Sequence, residues 1–368
     1  MRLTLSPEQN DLRDTTRRFL VSQSSLDYVR ERLEKDTPRY DRSLWRRACI
    51  ELGLGGLVAA PERGGSGTGL AEASLALEEF GAVLEGSPLL SVTAAVSALE
   101  MVGEDLAERY VSRLVDGDLV GVVVFDLLNE ETSLVLEPGE GGSCAVSGTI
   151  DNVMDGPEAD LFILVTSAGS ECRLAVVEAQ ATGVRIDTTA SLDLTRRFAQ
   201  LQLDQAAGTC VAISESVACG IEDRMAVMIA AELNGLSRAC LMNTTAYLND
   251  RVAFGRIVGS YQGIKHQLAE MYCDLELVQS AVRAAASGAD EHLATASLDA
   301  LVALRAASFI AVETATECLR LHGGIGYTWE HDAHLYLRRA HQLQSLLGGR
   351  EHTDVRLLGH ILAPGAAS

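Results

Sequence analysis

The chain has 368 residues, of which 47% are hydrophobic, and its 30 Lys and Arg against 51 Asp and Glu give a formal net charge of −21. This length and composition exclude a disordered protein and predict a globular one with room for two or three packed layers. The negative charge argues against a nucleic-acid partner, because such binding needs clustered cations that displace counterions.

The sequence also indicates a compartment. It contains no run of about 18 uncharged apolar residues, so we expect no membrane span, and its first residues lack the apolar core of a secretory signal. Eight cysteines are scattered without a Cys-x-x-Cys pair, which is typical of free thiols in a reducing compartment. We therefore expect a cytoplasmic protein without a metal site.

Residues 1–117 have the pattern of a helical domain. Ser6, Pro7 and Gln9 form the signature of a helix start, with the N-cap at Ser6 and the first helical position at Pro7. Apolar residues then recur at helical spacing until a glycine-rich segment at 61–69 interrupts them. No strand precedes this segment and no Gly-Lys-Ser/Thr closes it, so we interpret it as a turn between helices.

Residues 118–212 change to short apolar runs separated by turn residues. The predicted strands are 122–125, 133–136, 161–165, 174–177 and 198–203. Strands of this length, without helical periods between them, predict an antiparallel β domain and not alternating βαβ units.

Residues 213–368 return to helical periodicity. Long segments at about 222–251, 261–287, 291–320 and 331–347 predict a four-helix bundle. The predicted fold class is therefore α+β, with an N-terminal helical domain, a middle antiparallel β domain and a C-terminal four-helix bundle.

Two segments of the predicted bundle carry residue types suited to a phosphate-bearing ligand with a flat ring. Arg251 and Phe254 offer a cation and an apolar platform at the end of one predicted helix, and Gln262 opens the next. A glycine-rich turn at 323–326 precedes the last predicted helix, where free backbone amides attract an anion.

Both segments, Arg-Val-Ala-Phe-Gly at 251–255 and Leu-His-Gly-Gly-Ile-Gly-Tyr-Thr-Trp-Glu at 321–330, resemble motifs of the acyl-CoA dehydrogenase family. The helical, β and helical order extends the resemblance over the whole chain. It implies an FAD held mainly by a neighbouring subunit. Arg320 stands where the family has a glutamine, three residues before the double glycine. The residues implied to contact the adenosine and diphosphate of this FAD are Arg251, Phe254, Gln262, Arg320, Gly323, Gly324 and Gly326.

The residues that hold the flavin ring in this family are replaced. Asn152, Val153 and Met154 occupy the positions of a Trp-Ile-Thr segment, and residues 125–130 lack the Thr-Glu-Pro loop that the family shows there. This chain is therefore not expected to hold a flavin ring of its own.

The catalytic carboxylate of the family is also missing. One family position for this base, which removes the α-proton of the acyl thioester, is Met225, and the other falls in Leu-Leu-Gly-Gly at 346–349. Glu232 lies two helical turns after Met225 and is the remaining candidate. Its alternative role is a helix carboxylate that pairs with Arg238 or faces solvent.

Three hypotheses follow from this pattern. In the first, the chain is the base-lacking subunit of a heteromeric α2β2 acyl-CoA dehydrogenase, like those of actinobacterial steroid side-chain degradation. Its partners would be an acyl-CoA substrate, a second acyl-CoA dehydrogenase-like subunit and an electron-accepting flavoprotein. In the second, it is an active homotetramer with Glu232 as a displaced base. In the third, it is a scaffold that has lost catalysis.

Overall fold

The computed structural model describes residues 4–35, 38–126, 134–168 and 171–362. Helices occupy both ends of the chain and a seven-stranded sheet lies between them. The N-terminal helices are α1 (Pro7–Gln23), α2 (Leu26–Glu34), α3 (Arg42–Leu52), α4 (Leu70–Val83), α5 (Leu89–Val102) and α6 (Glu104–Val115). The strands of the sheet are β1 (Gly121–Phe125), β2 (Val135–Pro138), β3 (Ser143–Met154), β4 (Leu161–Ala168), β5 (Glu171–Glu178), β6 (Val184–Thr189) and β7 (Phe198–Ile213). The C-terminal elements are α7 (Glu215–Asp250), β8 (Val252–Ala253), β9 (Arg256–Ile257), α8 (Gln262–Asp290), α9 (Ala296–Leu321), α10 (Ala333–Gln344) and α11 (Gly349–Leu362).

The first helix begins as the sequence predicts. Ser6 Oγ accepts a hydrogen bond from the Gln9 amide at 3.2 Å, and the Ser6 amide donates to Gln9 Oε1 at 3.0 Å. This reciprocal pair is a capping box, and Pro7 occupies the first turn. Gln9 Nε2 also donates to Glu72 of α4 at 3.0 Å, so the cap joins α1 to its neighbouring helix.

The middle of the chain forms a β-sheet with one difference from the predicted topology. The strand order is β1-β4-β5-β7-β3-β2, and β6 also pairs with β7. All these pairs are antiparallel except β1 and β4, which run parallel. Strand β1 lies at the edge of the sheet beside β4, and not beside β2, its neighbour in sequence. The domain limits at residues 117 and 212 stay a prediction.

The sequence analysis missed β3 and β6. The register of β3 against β7 is irregular after Val146 and again after Ile150, which interrupts its alternation of side chains. The side chains of β6 are exposed or half-buried along its length. Neither strand has the apolar run that marks a buried strand. Residues 127–130 of the expected flavin loop, and residue 133 of a predicted strand, lie outside the described residues.

The C-terminal helices α7, α8, α9 and α10 form the predicted bundle, and α10 is shorter than its predicted range of 331–347. The separate helix α11 follows it, which the periodicity did not distinguish. By length and composition α7 is apolar enough to cross a membrane, but 83% of its most apolar window is buried inside the protein. It is the central helix of the bundle.

Helices α4 and α7 approach each other so closely that only glycine fits at two positions. A Cβ atom on Gly81 would lie 2.1 Å from the carbonyl oxygen of Glu232, and one on Gly235 would lie 1.8 Å from that of Glu78. Carbon and oxygen atoms cannot approach this closely without displacing the backbone. The N-terminal helices and the bundle therefore pack backbone to backbone along this contact.

Replacing Gly235 by alanine should separate the two helices. We expect Gly235→Ala to lower the free energy of unfolding by roughly 3 kcal/mol, because the added methyl group overpacks the contact. The measurement is urea unfolding followed by circular dichroism.

The matched control is Gly359→Ala in α11, where a Cβ atom would meet nothing within 4 Å. There alanine should raise the unfolding free energy by up to about 1 kcal/mol, since glycine is unfavourable inside a helix. Equal effects at the two positions would show that the α4–α7 contact is not as close as described.

Candidate functional site at the end of the bundle

The bundle topology brings the two motif segments to one end of the molecule. Helices α7, α8 and α9 alternate in direction, so the end of α7, the start of α8 and the end of α9 lie together. The Tyr247 ring stacks on the His322 ring with centroids 4.5 Å apart, which joins the last turn of α7 to the end of α9. We call the motif residues gathered there the bundle-end site. They are Arg251, Phe254, Gln262, Arg320, Gly323, Gly324 and Gly326.

Phe254 projects from the bundle-end site on a short hairpin. It lies in the turn between β8 and β9 with a φ of 53°, and Gly255 follows with a φ of 80°. A phenylalanine in this left-handed region is strained by about 1–3 kcal/mol. Tyr261 holds the turn in place, since its hydroxyl donates to the Ala253 carbonyl at 3.1 Å. The Phe254 side chain is 98% exposed, so a strained backbone presents a bare aromatic ring.

The polar side chains of the bundle-end site differ in whether they have a partner within the chain. Arg251 follows α7 directly and is exposed, and its side chain has no partner among the described residues. Gln262, the first residue of α8, is likewise exposed. Arg320 instead binds Glu317 one turn earlier on α9, with its Nε 3.0 Å from Glu317 Oε2. Arg320 would have to break its ion pair with Glu317 before its full positive charge could act on a phosphate.

The glycine turn lies between α9 and α10. Residues Gly323–Tyr327 form a 3-10 turn that continues directly from α9, and α10 begins only at Ala333. The turn therefore precedes α10, as the sequence predicts, but residues 328–332 lie between them, and a further helix, α11, follows α10. Gly323 has a φ of 66°, and a Cβ on Gly324 would meet nothing within 4 Å. A Cβ on Gly326 would lie 2.6 Å from the Leu319 carbonyl, so Gly326 packs internally.

These features fit the outer half of an FAD molecule. An unpaired guanidinium suits a diphosphate, an exposed ring suits a flat adenine, and an open glycine backbone lets a phosphate approach closely. Arg251, Phe254, Gln262, Gly323 and Gly324 are all exposed, so a ligand bound there would lie at the surface of this chain.

A separate cavity of about 220 Å³ lies between the sheet and the bundle. Met225 of α7 and Leu346 and Leu347 after α10 line it, so both family positions for the catalytic base face the same space. Met154 contributes a further side chain from β3. The acidic residue in this lining, Asp151, is exposed and accepts a hydrogen bond from Gln200 at 2.6 Å. A space of this size lies below the usual range for ligand pockets, about 300–1,000 Å³.

Glu232 has no exposed surface and lies between two arginines. Its Oε1 is 2.6 Å from Nη1 of Arg339, and its Oε2 is 2.8 Å from Nη2 of Arg196. Arg238, the expected partner, pairs instead with Glu79 of α4 at 2.7 Å. Both oxygens of Glu232 are thus engaged by cations, and Glu232 is absent from the lining of the 220 Å³ cavity.

The two arginines extend Glu232 into a buried ionic network. Arg196 also approaches Asp155 at 3.4 Å, and Arg339 approaches Asp193 at 2.5 Å. Burial raises the pKa of Asp155, although the Arg196 guanidinium opposes this shift. The network connects the sheet, the segment before β7, α7 and α10. Sequence analysis missed it because its members are scattered, although a charge within an apolar run, as at Glu232, indicates that a buried partner exists.

The helical, β and helical order of the elements is that of the acyl-CoA dehydrogenase fold. Two family descriptions match the chain: "Acyl-CoA dehydrogenase, N-terminal domain" over residues 6–118 and "Acyl-CoA dehydrogenase, C-terminal domain" over residues 222–360. The chain is 34% identical over 345 residues to the acyl-CoA dehydrogenase IpdE2 of Mycobacterium tuberculosis, covering 94% of each. It belongs to the acyl-CoA dehydrogenase family, whose members use FAD.

Two similar solved structures come from paired chains. The first is a chain of the Tcur3481-Tcur3483 steroid acyl-CoA dehydrogenase, with a TM-score of 0.89 and 27% identity over 99% of this chain and all of that one. The second belongs to the ChsE4-ChsE5 complex of Mycobacterium tuberculosis, with a TM-score of 0.89 and 26% identity over the same shares.

Glu232→Gln separates a structural carboxylate from a catalytic one. We expect it to lower the free energy of unfolding by about 3 kcal/mol, because it leaves the buried guanidinium groups of Arg196 and Arg339 short of one negative charge. The exposed Glu313 of α9 provides the control variant Glu313→Gln, which should be neutral. Lost turnover in a Glu232→Gln protein of unchanged stability would instead identify Glu232 as the base.

Glu158 makes stability depend on pH. Its burial, and then the nearby Asp155 carboxylate, raise its pKa from 4.5 to about 7 against the opposing charge of Arg197. In the window between these values the folded state keeps a proton that the unfolded state loses, so the free energy of unfolding falls as the pH rises. Glu158→Gln should remove roughly 1–3 kcal/mol of this dependence.

Urea unfolding at a series of pH values across that window measures the effect. The control is Glu108→Gln, at an exposed position on α6, which should leave the pH profile as in the wild type. Parallel profiles for the wild type and Glu158→Gln would show that Glu158 is not the group responsible.

Proposed function

We propose that this chain is the base-lacking subunit of a heteromeric, FAD-dependent acyl-CoA dehydrogenase. The observation that carries the proposal is the contrast between two places in the molecule. The bundle-end site keeps an unpaired cation, an exposed ring and an open glycine turn, whereas the 220 Å³ cavity has methionine and leucine at both positions for the base. A homomeric enzyme would need both places intact in the same chain.

The proposed role of this chain is to complete an FAD site whose other part lies on a second subunit. Arg251 would bind the diphosphate, Phe254 would cover the adenine, and the backbone at Gly323 and Gly324 would donate to phosphate oxygens. Gln262 and Arg320 would add polar contacts at the same end. When bound, FAD supplies the acceptor for the hydride that leaves the β-carbon of the acyl thioester.

The unlike subunit would supply what this chain lacks. It would hold the flavin ring and carry the carboxylate that removes the α-proton. Removal of this proton and loss of the hydride from the β-carbon together give the α,β-double bond. An electron-accepting flavoprotein would then reoxidise the cofactor. The eight cysteines, all unpaired, are in keeping with a complex that works in the reducing cytoplasm.

The relatives support a proposal for the substrate class. One similar structure is described as a steroid acyl-CoA dehydrogenase formed by two named chains, and another as a complex of two chains. On this basis we propose a bulky acyl-CoA, such as a steroid degradation intermediate, as the substrate of the assembled enzyme.

Flavin absorbance per chain tests the shared site. We expect the protein purified alone to be colourless, and the protein co-expressed with an acyl-CoA dehydrogenase-like chain of the same organism that has the catalytic carboxylate to hold about one FAD per pair of unlike chains. One FAD per chain in the lone protein would contradict the proposal and support a homomeric enzyme.

A substitution in the assembled pair tests the role of Arg251. Arg251→Ala should raise the dissociation constant of FAD roughly 10-fold or more, because it removes a charge-assisted contact with phosphate. The control is Arg185→Ala, at an exposed position on β6.

A further inference from the structure

His322 is a buried histidine next to the glycine turn of the bundle-end site. Helix α9 ends at Leu321, His322 caps its C-terminus, and Gly323 follows directly. The residue is 3% exposed, whereas Gly323 and Gly324 beside it are exposed. A buried side chain at this place can fix the backbone that follows it without contacting a ligand itself.

The His322 ring contacts two other rings. The Tyr247 ring of α7 stacks on it with centroids 4.5 Å apart and 28° between the planes, and the His331 ring lies 4.3 Å away. Nδ1 of His331 accepts a hydrogen bond at 3.1 Å from the amide of Ala333, the first residue of α10. The three rings therefore join the end of α7, the end of α9 and the start of α10, and each contact adds to the stability gained from burial alone.

A hydrogen bond fixes the orientation of the His322 ring. Its Nδ1 lies 2.7 Å from the carbonyl oxygen of Cys318, one turn earlier on α9. A carbonyl oxygen only accepts, so we assign the proton to Nδ1. The same carbonyl accepts a bond from the His322 amide at 3.2 Å. Both the ring and the backbone of His322 are thus bound to the last turn of α9.

A short path of contacts runs from His322 to Arg251. The Arg251 amide donates to the Tyr247 carbonyl at 2.9 Å, the Tyr247 ring stacks on His322, and Gly323 is the next residue. The two segments that contribute the cation and the open backbone are therefore connected through Tyr247 and His322.

The glycine turn also packs back on His322. A Cβ atom on Gly326 would lie 3.1 Å from the Cβ of His322, whereas one on Gly323 or Gly324 would meet nothing within 4 Å. The turn is therefore held through His322 and Gly326, while Gly323 and Gly324 stay open for a phosphate to approach.

The distance between Arg251 and the turn matters for a diphosphate. Its two phosphates share one bridging oxygen, so a guanidinium and a pair of backbone amides can bind it together only at one separation. Groups that are held at this separation in advance bind without a further loss of conformational entropy.

We infer that His322 is a positioning residue for FAD, which holds the backbone at Gly323 and Gly324 at a fixed distance from Arg251 so that both bind one diphosphate. The inference rests on the proposed function, because FAD at the bundle-end site is part of that proposal. His322 acts through the backbone and through Tyr247, and not as a ligand.

The dissociation constant of FAD in the assembled pair measures this role. The pair is formed with an acyl-CoA dehydrogenase-like chain of the same organism that has the catalytic carboxylate. We expect His322→Ala to raise the constant roughly 10-fold, because it removes both ring contacts. His322→Phe keeps a ring in place and should raise it less than about 3-fold. Tyr247→Leu leaves the histidine intact but removes the ring stacked on it, and should raise the constant roughly 5-fold.

A double-mutant cycle separates positioning from independent effects. The distance between Arg251 and the turn matters only while both bind the diphosphate. In a protein that already carries Arg251→Ala, His322→Ala should therefore change the dissociation constant less than about 3-fold. Independent effects would multiply to roughly 100-fold for the double variant, and that result would contradict the positioning role.

A core variant on the same helix controls for stability. Leu304 is 5% exposed and lies about 27 Å of helix rise before His322 on α9. Leu304→Ala should lower the urea concentration at the unfolding midpoint and leave the dissociation constant of FAD unchanged. If it raises that constant as much as His322→Ala does, FAD affinity follows overall stability and the positioning role is wrong.

The outcomes distinguish this inference from the proposed function. If the unlike pair holds FAD and His322→Ala leaves its dissociation constant unchanged, the positioning role is wrong while the proposed function stands. If the lone chain holds one FAD per chain, the proposed function fails, and His322→Ala in that protein then decides the positioning role by the same 10-fold criterion. If neither protein holds FAD, both fail.

Discussion

Two buried arginines, Arg196 and Arg339, determine how the sheet meets the helical bundle. Each is fully enclosed, and each binds Glu232 while also approaching an aspartate of its own. Buried charges persist only when their partners are in place, so the segment before β7, helix α10 and helix α7 must come together in one arrangement. Both oxygens of Glu232 are therefore needed to neutralise the two arginines. It explains in physical terms why Glu232, the candidate base, is poorly placed to take over proton transfer.

The bundle end and the cavity beside Met225 differ in which family residue types they contain. The cavity beside Met225 is lined by methionine and leucine side chains from β3, α7 and the segment after α10, so its wall is apolar at both positions where the family has a base. The bundle end is different, because its exposed groups do not contribute to the core and can be retained without any effect on packing. In this fold the exposed residues of the bundle end can therefore stay the same while the buried side chains of the core change.

Much of the fold was predictable because it follows local rules. The capping box at Ser6, the long apolar helices and the buried strands such as β4 each have a periodicity or a cap that the sequence shows directly. The strands β3 and β6 were missed since one is bulged and the other largely lacks burial, and the parallel β1–β4 pair depends on contacts between distant segments. The structure brings the two motif segments together at the bundle end, and their role in binding FAD stays a prediction. The partners of Glu232 were not predicted, because no spacing links residues 196 and 339 before the chain folds.

The exposed ring of Phe254 has a consequence for the supply of this protein in a cell. If the chain pairs with an unlike subunit as proposed, the strained turn with its bare aromatic side chain stays uncovered in every copy that lacks this partner. Chaperones and proteases recognise surfaces of that kind, and their sorting changes the abundance of a chain several-fold. Copies made in excess over the partner would thus be removed. The geometry of one hairpin would thereby keep the two subunits at matched amounts without any regulator of their synthesis.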